Sequence, residues 1–117
     1  MALEQDIEFF SGDTVKIKVT ITDADNANDP KNLTGAQSII WALAKAQGKA
    51  PLVTKTVGGG ITVTDAPNGV CEVLLSVGDT PNLKGSFYHE MQVVDATGNK
   101  STVLYGAVTI SADSITT

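Results

Sequence analysis

The chain has 117 residues, of which 42% are hydrophobic, and carries 13 acidic side chains against 8 lysines with no arginine, a formal charge of -5. That length suits one domain able to bury roughly two thirds of its unfolded surface without covalent staples. The acidity, the thin scatter of lysines and the lack of arginine exclude the basic face and bidentate contacts that a nucleic-acid binder needs. Cys71 is the sole cysteine, so no internal disulfide can form.

The segment Met1–Ile7 is acidic and has no apolar centre, unlike a secretory signal. No apolar run approaches the roughly 20 residues that span a bilayer. These features predict a chain made and folded in the cytosol, with no membrane partner.

Alternation with period two dominates the chain and predicts an all-β fold of seven to eight antiparallel strands. A short first strand covers Ile7–Phe10 and stops at Ser11-Gly12-Asp13. Residues 14–22 form the clearest strand: Val15, Ile17, Val19 and Ile21 share one face, and Lys16, Lys18, Thr20 and Thr22 the other. Residues 23–32 are too rich in Asp, Asn and Pro to be anything but a loop.

A third strand is centred on Ile39-Ile40-Trp41. Helix over residues 36–47 competes with it because Ala and Leu are good helix formers, but the β-prone centre and the missing cap favour strand. Strands follow at 52–57, 61–64 and 70–75, with Gly58-Gly59-Gly60 as a flexible turn and Asn68-Gly69 as a two-residue hairpin signal. The last two, Phe87–Val94 and Ser101–Ile110, flank a loop at 95–100, and short extended tails are expected at about 1–6 and 111–117. Gly12-Asp13-Thr14 recurs as Gly78-Asp79-Thr80, but the flanks differ, so shared turn chemistry explains it better than a repeat.

Val15, Ile17, Val19, Ile21, Ile39, Trp41, Leu43, Cys71, Val73, Leu75, Phe87, Met91 and Val93 are the expected core. Cys71 lies in an apolar run and reads as a small buried hydrophobe, not a reactive thiol. His89, the one histidine, alternates with Phe87, Met91 and Val93 and so points inward, with Glu90 on the opposite face and no nucleophile-elbow pattern in the chain. One His and one Cys cannot make a structural transition-metal site.

Asp23, Asp25 and Asp29 are the one candidate calcium cluster. Their loop departs from the EF-hand pattern, with Ala27 at the fifth position, Asn28 in place of the glycine and no closing Glu. Nothing in the chain implies a required cofactor or a catalytic constellation, so the expectation is a non-enzymatic protein.

Five segments in fixed order carry a family resemblance: Phe10-Ser11-Gly12-Asp13-Thr14; Asn32-Leu33-Thr34-Gly35; residues 69–75 with Asp79-Thr80 after them; residues 83–93; and Asp95-Ala96-Thr97-Gly98-Asn99. Together they resemble the small immunoglobulin-like domains of tailed-bacteriophage virion proteins, in particular the N-terminal domain of baseplate upper proteins. The resemblance covers nearly the whole chain and implies an immunoglobulin-like sandwich with Trp41 buried on the third strand. Phe87 stands where such folds often carry the tyrosine of a tyrosine corner, so a corner here would rest on packing alone.

The implied role is a structural virion subunit in many copies, bound to tail, baseplate or capsid proteins as a baseplate, decoration or fibre-attachment part. A carbohydrate- or receptor-binding module of the same fold is the alternative. The final strand reads as apolar on both faces, so its second face should pack on something, within the fold or in a neighbour. Tyr88 and Tyr105, with the two tails, are the expected partner contacts, because tyrosine offers both apolar area and a hydroxyl.

Overall fold

The computed structural model describes residues 3–22, 31–80 and 83–112. The described residues form nine strands: β1 Leu3–Glu4, β2 Ile7–Phe10, β3 Val15–Thr20, β4 Ser38–Ala44, β5 Pro51–Val57, β6 Gly60–Asp65, β7 Val70–Leu75, β8 Gly85–Val94 and β9 Lys100–Ser111. Apart from one 3-10 turn at Ala66–Asn68, no helix occurs among the described residues, and the helix considered for residues 36–47 is strand β4 followed by turn. The Ile-Ile-Trp centre decides this locally, since Ile39, Trp41 and Leu43 all reach the core only with period two.

Hydrogen bonding runs in one path, β1-β9-β8-β4-β5-β6-β7-β3, with β2 also on β9. The path is continuous, but its middle link is slight. β5 and β6 share only the pairs Thr56↔Gly60 and Val57↔Ile61, where the chain coils through the glycines. The link joins two strand groups, β1/β2-β9-β8-β4-β5 and β6-β7-β3. Trp41, Met91 and Leu104 of the first group and Val19, Cys71 and Val73 of the second are all buried in one cluster. A sheet can bury one face against itself only by curling, so this all-β sheet curls around that core into a nearly barrel-like form. All thirteen expected core residues belong to the cluster, Val15 as a partly buried member.

The cross-strand registers show how the pattern works. On β3 and β7, Val15↔Leu75, Ile17↔Val73 and Val19↔Cys71 point inward, while Lys16↔Leu74 and Lys18↔Glu72 point out. On β4 and β8, Ile39↔Val93, Trp41↔Met91 and Leu43↔His89 point inward. β9 holds a bulge opposite Met91 and Gln92, which pair with Leu104 and Thr102, so Val103 is the extra residue and both it and Leu104 are buried. From Leu104 on the strand alternates, and Tyr105, Ala107 and Thr109 are exposed. The second face of β9 is therefore not covered by any described part of this chain.

Two expectations change, and a third stands with an addition. Asn68-Gly69 does not form a two-residue turn. Pro67 sets the 3-10 turn, Gly69 closes it in the left-handed region, and β6 meets β7 at Asp65↔Val70 across a four-residue connection. The two Gly-Asp-Thr segments are not a repeat, yet they meet: the Gly12 amide donates to the buried Thr80 hydroxyl at 3.0 Å. Residues 3–6, expected to be part of a tail that contacts a partner, lie on this chain's own β9. Asp23, Asp25 and Asp29 fall outside the described residues.

Candidate functional site

Two places concentrate side chains that neither packing nor turn chemistry explains fully. One is the outward face of β9, β8, β4 and β5. There Glu90 lies beside Tyr105 on one side and Ala42 on the other, Tyr88 lies between Ala107 and Ala44, and Gln92 pairs with Ile40. Tyr88 and Tyr105 are thus diagonal neighbours around Glu90. Burial, the Glu90 charge, the nearby Tyr105 and a hydrogen bond to Glu90 together raise the Tyr88 hydroxyl above its ordinary pKa.

Tyr105, Ile40 and Leu52 add exposed apolar area to this face. The opposite outer face, on β3, β7 and β6, is wetter, with Lys16, Lys18, Thr20, Thr62 and Thr64 exposed and Leu74 the large apolar exception.

The second place is inside. His89 is fully buried, in a row with Leu43 and Gly106. Trp41 Nε1–H donates to His89 Nδ1 at 3.0 Å. His89 Nε2 lies 2.6 Å from the carbonyl oxygen of Gln5. An indole nitrogen can only donate and a carbonyl can only accept, so the ring is neutral with its proton on Nε2. Burial lowers the His89 pKa, against smaller upward pulls from the Gln5 bond and Asp6.

Gly106 makes this bridge possible. A Cβ there would overlap the Gln5 carbonyl oxygen and crowd Asp6 Oδ1 at 3.0 Å. With hydrogen in place of a side chain, the first strand can lean in over β9 and turn its carbonyl toward the core. Around that point, Gln5 N–H donates to the Tyr105 carbonyl and Ala107 N–H donates to Asp6 Oδ1, each at 2.9 Å. Leu3↔Leu104 and Ile7↔Val108 share the same offset (104 − 3 = 108 − 7), so the parallel register of β1 and β2 on β9 survives the break between them.

This geometry bears on chemistry. Both His89 nitrogens are engaged and the ring is sealed, so it has no free nitrogen to offer a substrate. Cys71 is buried, and burial followed by the Glu72 charge pushes its thiol up to about 11, which leaves almost no thiolate at neutral pH. Two shallow depressions of about 350 and 340 Å³ border β2, the first lined by Phe9, Phe10 and Ser111 with Glu8 and Asp13, the second by Asp6 and Glu8 with Ala107. Among the described residues no three His, Cys, Asp or Glu side chains cluster as a metal site would require. No described helix is long and apolar enough to cross a membrane.

Of the residues singled out by sequence, Tyr88 and Tyr105 come together on one face, and His89 points inward as its alternation implies. Gln5, Asp6 and Gly106 emerge only from the fold, although a glycine inside a strand of branched residues is the kind of signal that marks a close backbone approach. No protein-family model matches the chain, and no curated protein matches it.

Proposed function

We propose that the chain is a non-enzymatic structural subunit of a tailed-phage virion, an immunoglobulin-like domain that attaches through its outer sheet face to tail, baseplate or capsid proteins. Strand order supports the fold reading. On this reading the observed order β3-β7-β6 would correspond to strands B, E and D, and β5-β4-β8-β9 to C′, C, F and G. The inter-sheet disulfide of antibody domains has no counterpart in a chain with one cysteine, and Trp41 fills the core position beside which it would lie.

The observation that carries the functional reading is the tyrosine face. Tyr88 and Tyr105 flank Glu90 on a floor that includes Ala42, Ala44 and Ile40, an arrangement rich in the aromatic area that protein interfaces favour. The alternative, a carbohydrate-binding module, would call for a wider aromatic platform than Tyr88 and Tyr105, diagonal neighbours around Glu90 that line neither depression beside β2.

The test is incorporation. A Tyr88→Ser/Tyr105→Ser chain, supplied in place of the wild type during phage growth, should be made and folded yet be depleted from purified particles. Particles that incorporate it at wild-type level would overturn the assignment of this face.

A further inference from the structure

The first strand has the form of an arm seated in a groove made for it. Among the described residues, β1 and β2 pair with β9 and with no other strand. The groove along the β9 edge is specific in a way that ordinary sheet edges are not. It offers a buried imidazole N–H that requires an acceptor, a glycine that admits a carbonyl at that point, and the Ala107 amide, which takes a carboxylate oxygen from the next residue. A segment without an inward carbonyl would strand the His89 donor, and one without an acid after it would leave the amide of Ala107 to another acceptor. Gln5-Asp6 meets both demands. Ile7 and Phe9 pack against the core as well, so an empty groove would expose area that a replacement strand would cover again.

We propose that the β9 edge accepts residues Leu3–Phe10 of a second copy of this chain, so that adjacent copies exchange first strands, with His89 as a pH-sensitive latch on the exchange. The identical arm of a neighbour restores each hydrogen bond and each apolar surface that a departing arm uncovers, which is the condition for strand exchange at low cost. In dilute solution the chain's own arm holds the groove, because a short tether keeps it at an effective concentration on the order of millimolar. Copies packed at comparable density compete with it. The exchange depends only on the groove and stands whether or not the particle is a virion.

The latch follows from the same two hydrogen bonds. A second proton on His89 must go to Nδ1, where it faces the N–H of Trp41, so two donors oppose each other inside the core. The cation is relieved most readily by lifting the arm that covers it. Of the elements against the ring, β4 contributes Trp41 and Leu43 and β9 contributes Gly106, none of them ionisable at these pH values, while the arm contributes Asp6. Asp6 favours the protonated ring, but its carboxylate is already committed to Ala107 N–H. Glu90 follows His89 on the opposite, outward face of β8.

Cysteine trapping tests both parts in the full chain. Glu4 and Tyr105 are register partners, so a Glu4→Cys chain and a Tyr105→Cys chain can form a 4–105 disulfide only when the arm of one lies on the β9 edge of the other. The two chains are mixed at about 1 mM, a concentration that competes with the tether. They are held at about pH 7.5 or about pH 5.5, oxidised briefly at one common pH, and read by non-reducing gel and peptide mapping. A chain carrying both substitutions confirms the chemistry by closing internally.

The expected result is a 4–105 heterodimer, severalfold more abundant after the acid incubation and severalfold less abundant when the arm chain also carries Asp6→Ala. A yield no higher than that of Glu4→Cys mixed with Thr62→Cys, whose thiol sits on exposed β6, overturns the exchange. Equal heterodimer yields at the two pH values overturn the latch.

Discussion

Stability should depend on pH through one side chain. His89 is the only histidine, so it is the one side chain of the protein whose ordinary pKa falls between about pH 5 and 8, apart from the chain terminus and perturbed groups. The unfolded chain binds that proton with the ordinary histidine pKa of about 6.5. The folded chain resists it, because burial and the Trp41 bond to Nδ1 favour the neutral ring. The unfolded state therefore holds more protons in this window, and stability must fall as pH drops below about 6.5. If the folded ring stayed neutral throughout, the loss would reach a ceiling of about 0.8 kcal/mol at pH 6 and about 2 kcal/mol at pH 5.

Carboxylates contribute separately and lower on the pH scale. Asp95, hydrogen-bonded first by Thr97 and then by Asn99, has a lowered pKa, and so has Asp79, where burial is outweighed by hydrogen bonds from Lys55 and Ser76. Their stabilisation is present above the ordinary carboxylate value and is lost as pH falls through their lowered folded values. The control is His89→Gln, because an amide can accept from Trp41 and donate to Gln5 without titrating. Urea unfolding, followed by Trp41 fluorescence across this range, should show the wild type losing stability relative to His89→Gln as pH falls. Parallel curves for the two chains would refute the buried neutral histidine.

Three further outcomes follow from the core and its turns. Trp41→Ala should cost about 3 to 5 kcal/mol in urea unfolding, because the fully buried indole leaves a cavity and an unpaired His89 nitrogen. Gly69→Ala should destabilise by about 1 to 3 kcal/mol, since its φ is +71° and a Cβ would lie 2.5 Å from the Ile21 carbonyl and 2.6 Å from that of Lys31. Gly78→Ala, with nothing within 4 Å, is the neutral comparison. Cys71 should resist iodoacetamide at neutral pH in the folded chain and react on unfolding, read by mass spectrometry; rapid labelling of the native protein would contradict its burial.

The fold was legible in the sequence where local chemistry decides it. β4 and β7 lie within the limits set by their alternation and flanking turns, and the expected inward residues of β3, β4, β7 and β8 meet in one cluster. Two kinds of feature were not legible. Pro67 overrode the hairpin preference of Asn68-Gly69, because its fixed φ favours the 3-10 turn and leaves Gly69 to supply the one left-handed residue. The His89 bridge depends on residues 84 positions apart, and its carbonyl partner carries no side-chain signature at all. Tyr88 and Tyr105 could each be read as outward from alternation, but their meeting around Glu90 depends on the β8–β9 register, which the bulge at Val103 sets. A period-two pattern fixes the face of a residue and leaves its cross-strand neighbour open.

Deletion of the gene for this chain tests the proposed virion role most directly, with the composition of the phage particles that the role requires read by quantitative mass spectrometry and their stability by heat challenge. On the proposed role, wild-type particles contain the chain in many copies, and deleted particles lack it together with a partner protein, lose stability or fail to assemble. Wild-type particles that never contain the chain, alongside deleted particles unchanged in content and stability, would contradict it.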